Sequence, residues 1–168
     1  MKRVWITLLM VAGALSLAGC GGDAVGPPTV YLGQDVCDEC GMIISDERFV
    51  AALLVEDEAG RRETRLFDDI GCLVKDEASH PDGASAARYV KSFDQRRWLT
   101  LSEAVFVHSE QLQSPMAFGA AAVADRAAAA SLQNEVGGDV LTYDALRRAL
   151  RDEGVAGSGH AHAPIADE

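Results

Sequence analysis

The densest group of potential metal ligands in this sequence is the segment Cys37-Asp38-Glu39-Cys40-Gly41-Met42. Cys40 and Met42 are two residues apart, so in an extended segment both side chains point to the same side of the chain. A thiolate and a thioether that converge on one ion form a soft ligand set, which selects Cu(I) over hard cations. Zinc rarely accepts a thioether, so Met42 favours copper.

The Cys-x-x-Cys spacing also has other interpretations. Cys37 and Cys40 can form a structural disulfide or a redox pair, although thioredoxin-like chemistry needs a βαβ unit that the preceding segment does not supply. Met42 can be a core residue, as most methionines are. The motif alone therefore leaves a copper site, a thiol–disulfide oxidoreductase and a lipoprotein with a structural zinc site open.

Three further groups of residues carry potentially reactive side chains. Cys72 falls in a predicted helix, where a buried cysteine is usually a small inert residue, and we do not assign it to the metal. His160 and His162 lie near the C-terminus and form, at most, a modest arm for collecting metal. Asp68 and Asp69 resemble an acid–base pair, but Asp68 is expected to cap a helix.

The first residues have the pattern of a secretory signal peptide. Residues 1–19 contain a basic start, an apolar run of about 14 residues and small residues before the expected cleavage site. About 20 apolar residues are needed to span a bilayer as a helix, so the run is too short for a permanent protein anchor. We expect this segment to be removed.

Lipid is the expected anchor instead. Residues 17–20, Leu-Ala-Gly-Cys, resemble the bacterial lipobox, in which the cysteine receives a diacylglycerol and becomes the new N-terminus. This resemblance implies lipidation of Cys20. Gly21 follows, and the absence of Asp at that position implies sorting to the outer membrane, with the protein on the periplasmic face.

Charge and cysteine count limit the function further. The whole chain carries a formal charge of -11, and loss of the basic signal residues brings the mature chain to about -13. This excludes a nucleic-acid partner and suits a cation or a basic protein. If Cys20 is acylated, three cysteines remain in an oxidising compartment, so at least one sulfur should be free or bound to metal.

The domain is expected to lie between two segments without a fold. Residues 20–30 are rich in Gly and Pro and read as a lipid-anchored tether. Residues 154–168 contain almost no large apolar side chain and are expected to be a disordered tail. The folded domain is therefore predicted over residues 31–153.

The first half of the domain has the order strand, strand, helix, strand. Residues 49–55 and 64–67 form an apolar hairpin, Asp68 caps the helix that follows, and residues 88–93 alternate as a strand. We place this module at about residues 48–93.

The second half repeats this order at about residues 104–141. Its strands are predicted at residues 104–107, 116–120 and 140–141, and its helix at residues 126–136 with Asp125 as cap and Gly137-Gly138 at its end. Thr142 or Asp144 then opens a final helix that ends at Gly154. The sequence thus predicts an α+β fold of two ββαβ modules with mainly antiparallel strands and a C-terminal helix.

Five motifs in this order resemble the NosL family of copper-binding lipoproteins, and they cover nearly all of residues 31–150. They are Cys37-x-x-Cys40-Gly41-Met42-Ile43-Ile44, Phe67-Asp68-Asp69-Ile70-Gly71-Cys72, Ala104-Val105-Phe106-Val107, Ser114-Pro115-Met116 and Gly137-Gly138-Asp139-Val140-Leu141.

The resemblance implies a non-enzymatic Cu(I) metallochaperone in the periplasm. It would deliver copper for maturation of nitrous oxide reductase, with the help of a membrane ABC transporter and its periplasmic subunit. By motif matching the copper ligands would be Cys40, Met42 and Met116, with Cys37 as an auxiliary ligand or a disulfide partner of Cys40. A site with three sulfur ligands leaves room for a partner's ligand during transfer.

Overall fold

The structure, a computed structural model, describes residues 26–56, 59–80 and 85–157. After a single 3-10 turn, Glu47–Phe49, the helices and strands are β1 (Ala51–Glu56), β2 (Arg62–Phe67), α1 (Ile70–Ser79), β3 (Ser85–Lys91), β4 (Trp98–Thr100), β5 (Val105–His108), β6 (Ala120–Val123), α2 (Arg126–Val136), β7 (Asp139–Leu141) and α3 (Tyr143–Gly157). None of the helices in these ranges combines the length and the apolar character that a bilayer crossing requires. The predicted signal peptide and Cys20 lie outside the described residues.

The strands form two antiparallel sheets with the same internal order. The first sheet has the order β2-β1-β3-β4 and the second has the order β6-β5-β7. In each, a hairpin is followed by a helix and by a strand that returns to pair with the first strand of the hairpin. This confirms the predicted α+β fold of two ββαβ modules and a C-terminal helix. The short strand β4 at the edge of the first sheet was not predicted.

The two modules share one hydrophobic core. Phe67, Leu73 and Val90 from the first module pack with Phe106 and with Leu146 of α3, and all five have no exposed surface. Burial of each such side chain contributes about 1.5–3 kcal/mol to folding, so this shared core is a major source of stability. A smaller cluster in the second module includes Phe49, which the 3-10 turn supplies from the first.

Aspartates cap α1 and α2, but one of them is not the predicted residue. Asp125 accepts hydrogen bonds from the backbone N–H groups of Ala127 and Ala128, both at 2.9 Å, as predicted. For α1 the cap is Asp69, which accepts from Gly71 N at 2.9 Å, and the prediction of Asp68 is wrong. The Asp68 carboxylate accepts from the backbone N–H of Ser45 instead, at 2.9 Å.

Two boundaries in the second half also differ from the prediction. The second strand spans Ala120–Val123 rather than residues 116–120, because residues 114–119 form a loop that ends at Gly119 with a φ of 60°. Alanine has a low strand propensity. All four residues of Ala120–Val123 are buried, so the strand forms because of tertiary burial and not because of local preference. Helix α3 continues through Gly157, past the predicted end at Gly154, and residues 158–168 lie outside the described residues.

The N-terminal segment contacts both edges of the first sheet. Trp98, on the edge strand β4, donates its indole N–H to the carbonyl of Pro28 at 2.9 Å. Farther along the chain, the backbone N–H of Leu66, on the opposite edge strand β2, donates to the Asp38 carboxylate at 2.6 Å. The chain therefore crosses the sheet between Pro28 and the cysteine motif.

Candidate metal centre

The cysteine motif lies in a small hairpin. Val36 and Ile43 form an antiparallel bridge, and inside it the backbone N–H of Cys37 donates to Met42 O at 2.8 Å. Gly41 N donates to Cys37 O at 2.9 Å, and Gly41 has a φ of 73°, in the left-handed region that favours glycine. The segment is thus a tight turn and not extended chain, so the same-side placement of Cys40 and Met42 does not follow from strand geometry.

The hairpin is fastened to the end of β2 and to the residues between β2 and α1. Asp38 exchanges hydrogen bonds with Leu66, because its backbone N–H also donates to Leu66 O at 2.9 Å. The bond from Ser45 to Asp68 holds the returning strand of the hairpin. These contacts place the buried side chain of Cys37 against the first turn of α1, where Cys72 lies.

Three thiols converge at this point. The Sγ atoms of Cys37, Cys40 and Cys72 all lie within 4.8 Å of one another, and the three cysteines are free. A metal–sulfur bond is about 2.3 Å long, so this separation is close to the distance that one ion between the sulfurs requires. Cys37 and Cys72 are each 1% exposed, whereas Cys40 is partly exposed. The cluster therefore has one side that a soft ion can reach.

Interactions among the three sulfurs separate the pKa values of the thiols. The neighbouring Cys72 thiol lowers the pKa of Cys37 to about 5 against the opposing effect of burial. The Cys37 sulfur and burial raise the pKa of Cys72 above its usual value, and burial raises the pKa of Cys40. The cluster thus favours the thiolate form at Cys37 and the protonated form at Cys40 and Cys72.

Cys72 is the member of the cluster that the sequence did not reveal. Its position in the helix gives one signal that could have found it, since it lies in the first turn behind the cap Asp69. A helix N-terminus generally stabilises a thiolate, although in the metal-free protein the Cys37 sulfur and burial raise the pKa of Cys72 instead. The odd number of cysteines points the same way, but the meeting of α1 with the N-terminal hairpin is a tertiary contact.

Neither predicted methionine ligand is a core residue. Met42 is 57% exposed and Met116 is 37% exposed. The backbone N–H of Met116 donates to Asp69 Oδ2 at 3.1 Å, and this places the Met116 loop beside the first turn of α1. His160 and His162 lie outside the described residues.

The exposed large apolar side chains of the described residues belong to the surroundings of the thiols. They lie in the cysteine hairpin, in the turn before it and in the Met116 loop, and they are Tyr31, Leu32, Val36, Met42, Ile43 and Met116. Grouped apolar exposure of this kind marks a contact surface for another molecule.

Comparison with known proteins identifies relatives of the whole domain. The NosL family model matches residues 28–151. The chain is 27% identical, over 173 residues, to the copper-binding lipoprotein NosL of Stutzerimonas stutzeri, covering 94% of this chain and 90% of that protein. The crystal structure of the copper chaperone NosL from Shewanella denitrificans has a similar fold, with a TM-score of 0.51 and 17% identity, over 70% of this chain and 96% of that one.

Proposed function

This chain belongs to the NosL family, and we propose that it is a copper chaperone that binds Cu(I) at the thiols of Cys37, Cys40 and Cys72. The thioethers of Met42 and Met116 complete the exposed side of the site. The convergence of the three Sγ atoms within 4.8 Å is the main support for this proposal. The names of the two relatives, which describe copper binding and a copper chaperone, agree with it.

The ligand chemistry favours Cu(I) over zinc. A structural zinc site takes four ligands from thiolate, imidazole and carboxylate groups. In the part of the chain that the structure describes, the cluster contains three thiols and neither a histidine nor a carboxylate. Thiolates with nearby thioethers are the soft set that Cu(I) prefers, and a low coordination number suits it.

The difference in exposure among the sulfur side chains favours transfer of copper over copper storage or catalysis. Two thiols are buried, one is partly exposed, and both methionines are accessible, so an acceptor can attach to the ion while the thiols still hold it. A thiol–disulfide oxidoreductase needs an accessible nucleophile. Cys37 has the lowered pKa of such a thiol, but it is 1% exposed. We therefore assign no enzymatic reaction.

The proposed setting is the periplasmic face of a membrane, with Cys20 lipidated and Gly21 directing the protein to the outer membrane. The description of one relative as a lipoprotein supports this anchor. We assign delivery to nitrous oxide reductase, together with an ABC-type transport system. The exposed apolar residues around the thiols offer these proteins a contact surface, and the formal charge of -11 favours a cation as cargo over a nucleic-acid partner.

Anaerobic titration of the reduced mature protein with Cu(I), in competition with a chelator, tests the proposal. We expect a stoichiometry near one and a sharp loss of affinity in Cys40→Ala and Met42→Ala. Val36→Ala is the matched control, because it shortens an exposed side chain of the same hairpin without removing sulfur. Unchanged affinity in both sulfur variants, or a disulfide-exchange activity that Cys37→Ala abolishes, would count against copper binding at this site.

A further inference from the structure

The buried carboxylate of Asp69 joins two parts of the chain that carry sulfur. Asp69 has no exposed surface. Its Oδ1 accepts from Gly71 N at 2.9 Å, and its Oδ2 accepts from the Ser114 hydroxyl at 2.5 Å and from Met116 N at 3.1 Å. Its backbone carbonyl accepts from Cys72 N at 3.0 Å. Asp69 therefore contacts both Cys72 and Met116 directly through hydrogen bonds.

Helix capping alone does not account for this arrangement. Asp125, the cap of the corresponding helix α2, is exposed and uses its carboxylate on the N–H groups of its own first turn. Both aspartates cap their helix with Oδ1, but Asp69 also uses Oδ2, which accepts hydrogen bonds from the loop. Burial of a carboxylate is costly unless hydrogen bonds compensate for it, and an uncharged Asn or Ser caps a helix as well. The second oxygen thus points to a role in the loop.

The loop that receives these bonds has an unfavourable backbone. Ala117, next to Met116, has a φ of 59°, in the left-handed region that residues with a Cβ rarely adopt. The Ser114 hydroxyl also accepts from Gly119 N at 3.1 Å, so one residue links both ends of the loop to Asp69. Such a conformation persists only where the surrounding contacts determine it.

We infer that Asp69 is a positioning residue that holds the Met116 thioether at the thiol cluster of Cys37, Cys40 and Cys72. This inference rests on the proposed copper site. Asp69 contacts Cys72 and Met116 through their backbone N–H groups, and we do not assign it as a ligand. Loss of such a supporting hydrogen bond commonly costs about 10–100-fold in metal affinity.

Asp69→Asn tests the inference. The amide oxygen of Asn can still cap α1 through Gly71 N, but its NH2 group then faces the N–H of Met116, which cannot accept a hydrogen bond. We expect Cu(I) affinity to fall about 10–100-fold. X-ray absorption of the copper-loaded protein should show one sulfur neighbour fewer, a change that a general loss of stability would not produce.

Two controls separate positioning from folding. Asp125→Asn makes the same substitution at the cap of α2 and should leave both affinity and sulfur count unchanged. Asp69→Asn combined with Met116→Ala should bind copper no more weakly than Met116→Ala alone, because both remove the same ligand. Ser114→Ala, which leaves the helix cap intact, gives a second route to the same loss if Asp69→Asn does not fold.

The outcomes distinguish this inference from the function it rests on. If the wild-type protein does not bind Cu(I), the proposed function fails. If the wild-type protein binds and Met116→Ala weakens binding, but Asp69→Asn and Ser114→Ala keep full affinity and sulfur count, only the positioning role is overturned. Additive losses in the double variant, or unchanged affinity in Met116→Ala, would also overturn it.

Discussion

The Sγ atoms of Cys37 and Cys72 lie within 4.8 Å of each other, although Cys37 belongs to the N-terminal hairpin and Cys72 to the first turn of α1. Both side chains are buried. The metal centre is therefore a product of the tertiary fold, because the Cys-x-x-Cys turn supplies only two of its thiols.

Cys72→Ala should weaken Cu(I) binding by at least about tenfold, or about 1.4 kcal/mol, because it removes one of three converging sulfurs. Chelator competition under anaerobic conditions measures the loss. Val74→Ala is the control, since Val74 is 2% exposed on the same helix and its truncation lowers stability by about 2 kcal/mol without removing sulfur. Equal affinities in the two variants would exclude Cys72 from the site.

The stability of the reduced, metal-free protein should rise between about pH 5 and pH 8.5. The pKa of Cys37 is lowered to about 5 in the folded protein, whereas an unfolded thiol has a pKa of about 8.5. Between these values the unfolded chain binds a proton that the folded chain does not, so the contribution is complete above the window and is lost as the pH falls toward 5.

Urea denaturation at several pH values, for wild type and Cys37→Ser, checks this expectation. The serine variant lacks the titrating thiol, so its stability should change less across the window. A parallel pH dependence in both proteins would show that Cys37 does not have the lowered pKa.

Arg65→Ala should destabilise the domain by up to about 3–5 kcal/mol at pH 7, because it leaves the buried Asp76 carboxylate with only His80, whose Nδ1 lies 3.5 Å from Asp76 Oδ1. Arg65 donates to Asp76 Oδ2 at 2.8 Å, and the Asp76 side chain has no exposed surface. Burial raises the pKa of Asp76 and the Arg65 charge opposes that shift, so the variant should raise the pKa further. The loss should therefore be larger at pH 7 than at pH 4, where protonation relieves it.

Chemical denaturation of Arg65→Ala beside Arg62→Ala provides the comparison. Arg62 pairs with Glu56 at 2.8 Å, but both side chains are exposed, so removal of this pair should cost less than about 1 kcal/mol. Similar losses for the two variants would mean that burial does not govern the Arg65–Asp76 pair.

Gly71→Ala should lower stability by about 1–3 kcal/mol even though alanine is the better helix former. A Cβ at this position would lie 2.0 Å from Phe118 Cγ, so the Phe118 ring and its loop must move. Thermal unfolding gives the loss, and Phe118→Ala tests its cause. The double variant should be more stable than the sum of the single losses predicts, whereas additive losses would place the strain elsewhere.

Local sequence signals predicted much of the fold. Asp125, the alanine-rich helix and the glycines after Val136 gave the bounds of α2 correctly, because capping and propensity act within a few residues. The prediction of Asp68 as the cap of α1 was wrong, because the Asp68 carboxylate is used in a contact with the distant Ser45 that no local pattern reveals. Strand β6 was misplaced for a similar reason, because its alanines form a strand only through burial.

The sequence predicted a site with soft sulfur ligands, but it did not predict all the residues that form the site. Cys40, Met42 and Met116 were predicted as ligands, and that assignment stays a prediction. The structure adds Cys72 and makes Cys37 a full member of the thiol cluster. Only the docking of the hairpin onto α1 brings these sulfurs together, and no local pattern encodes that docking.

The bond between Trp98 and Pro28 has a mechanical consequence. A lipid anchor at Cys20 would pull on the domain through Pro28, and the load would enter at β4, one edge of the first sheet. The cysteine hairpin is fastened to β2, at the other edge, about 14 Å away across three strand spacings. The lipid anchor and the thiols would therefore be attached at opposite edges of the first sheet, so a pull from the membrane would act on the strands of this sheet before it reached the thiols.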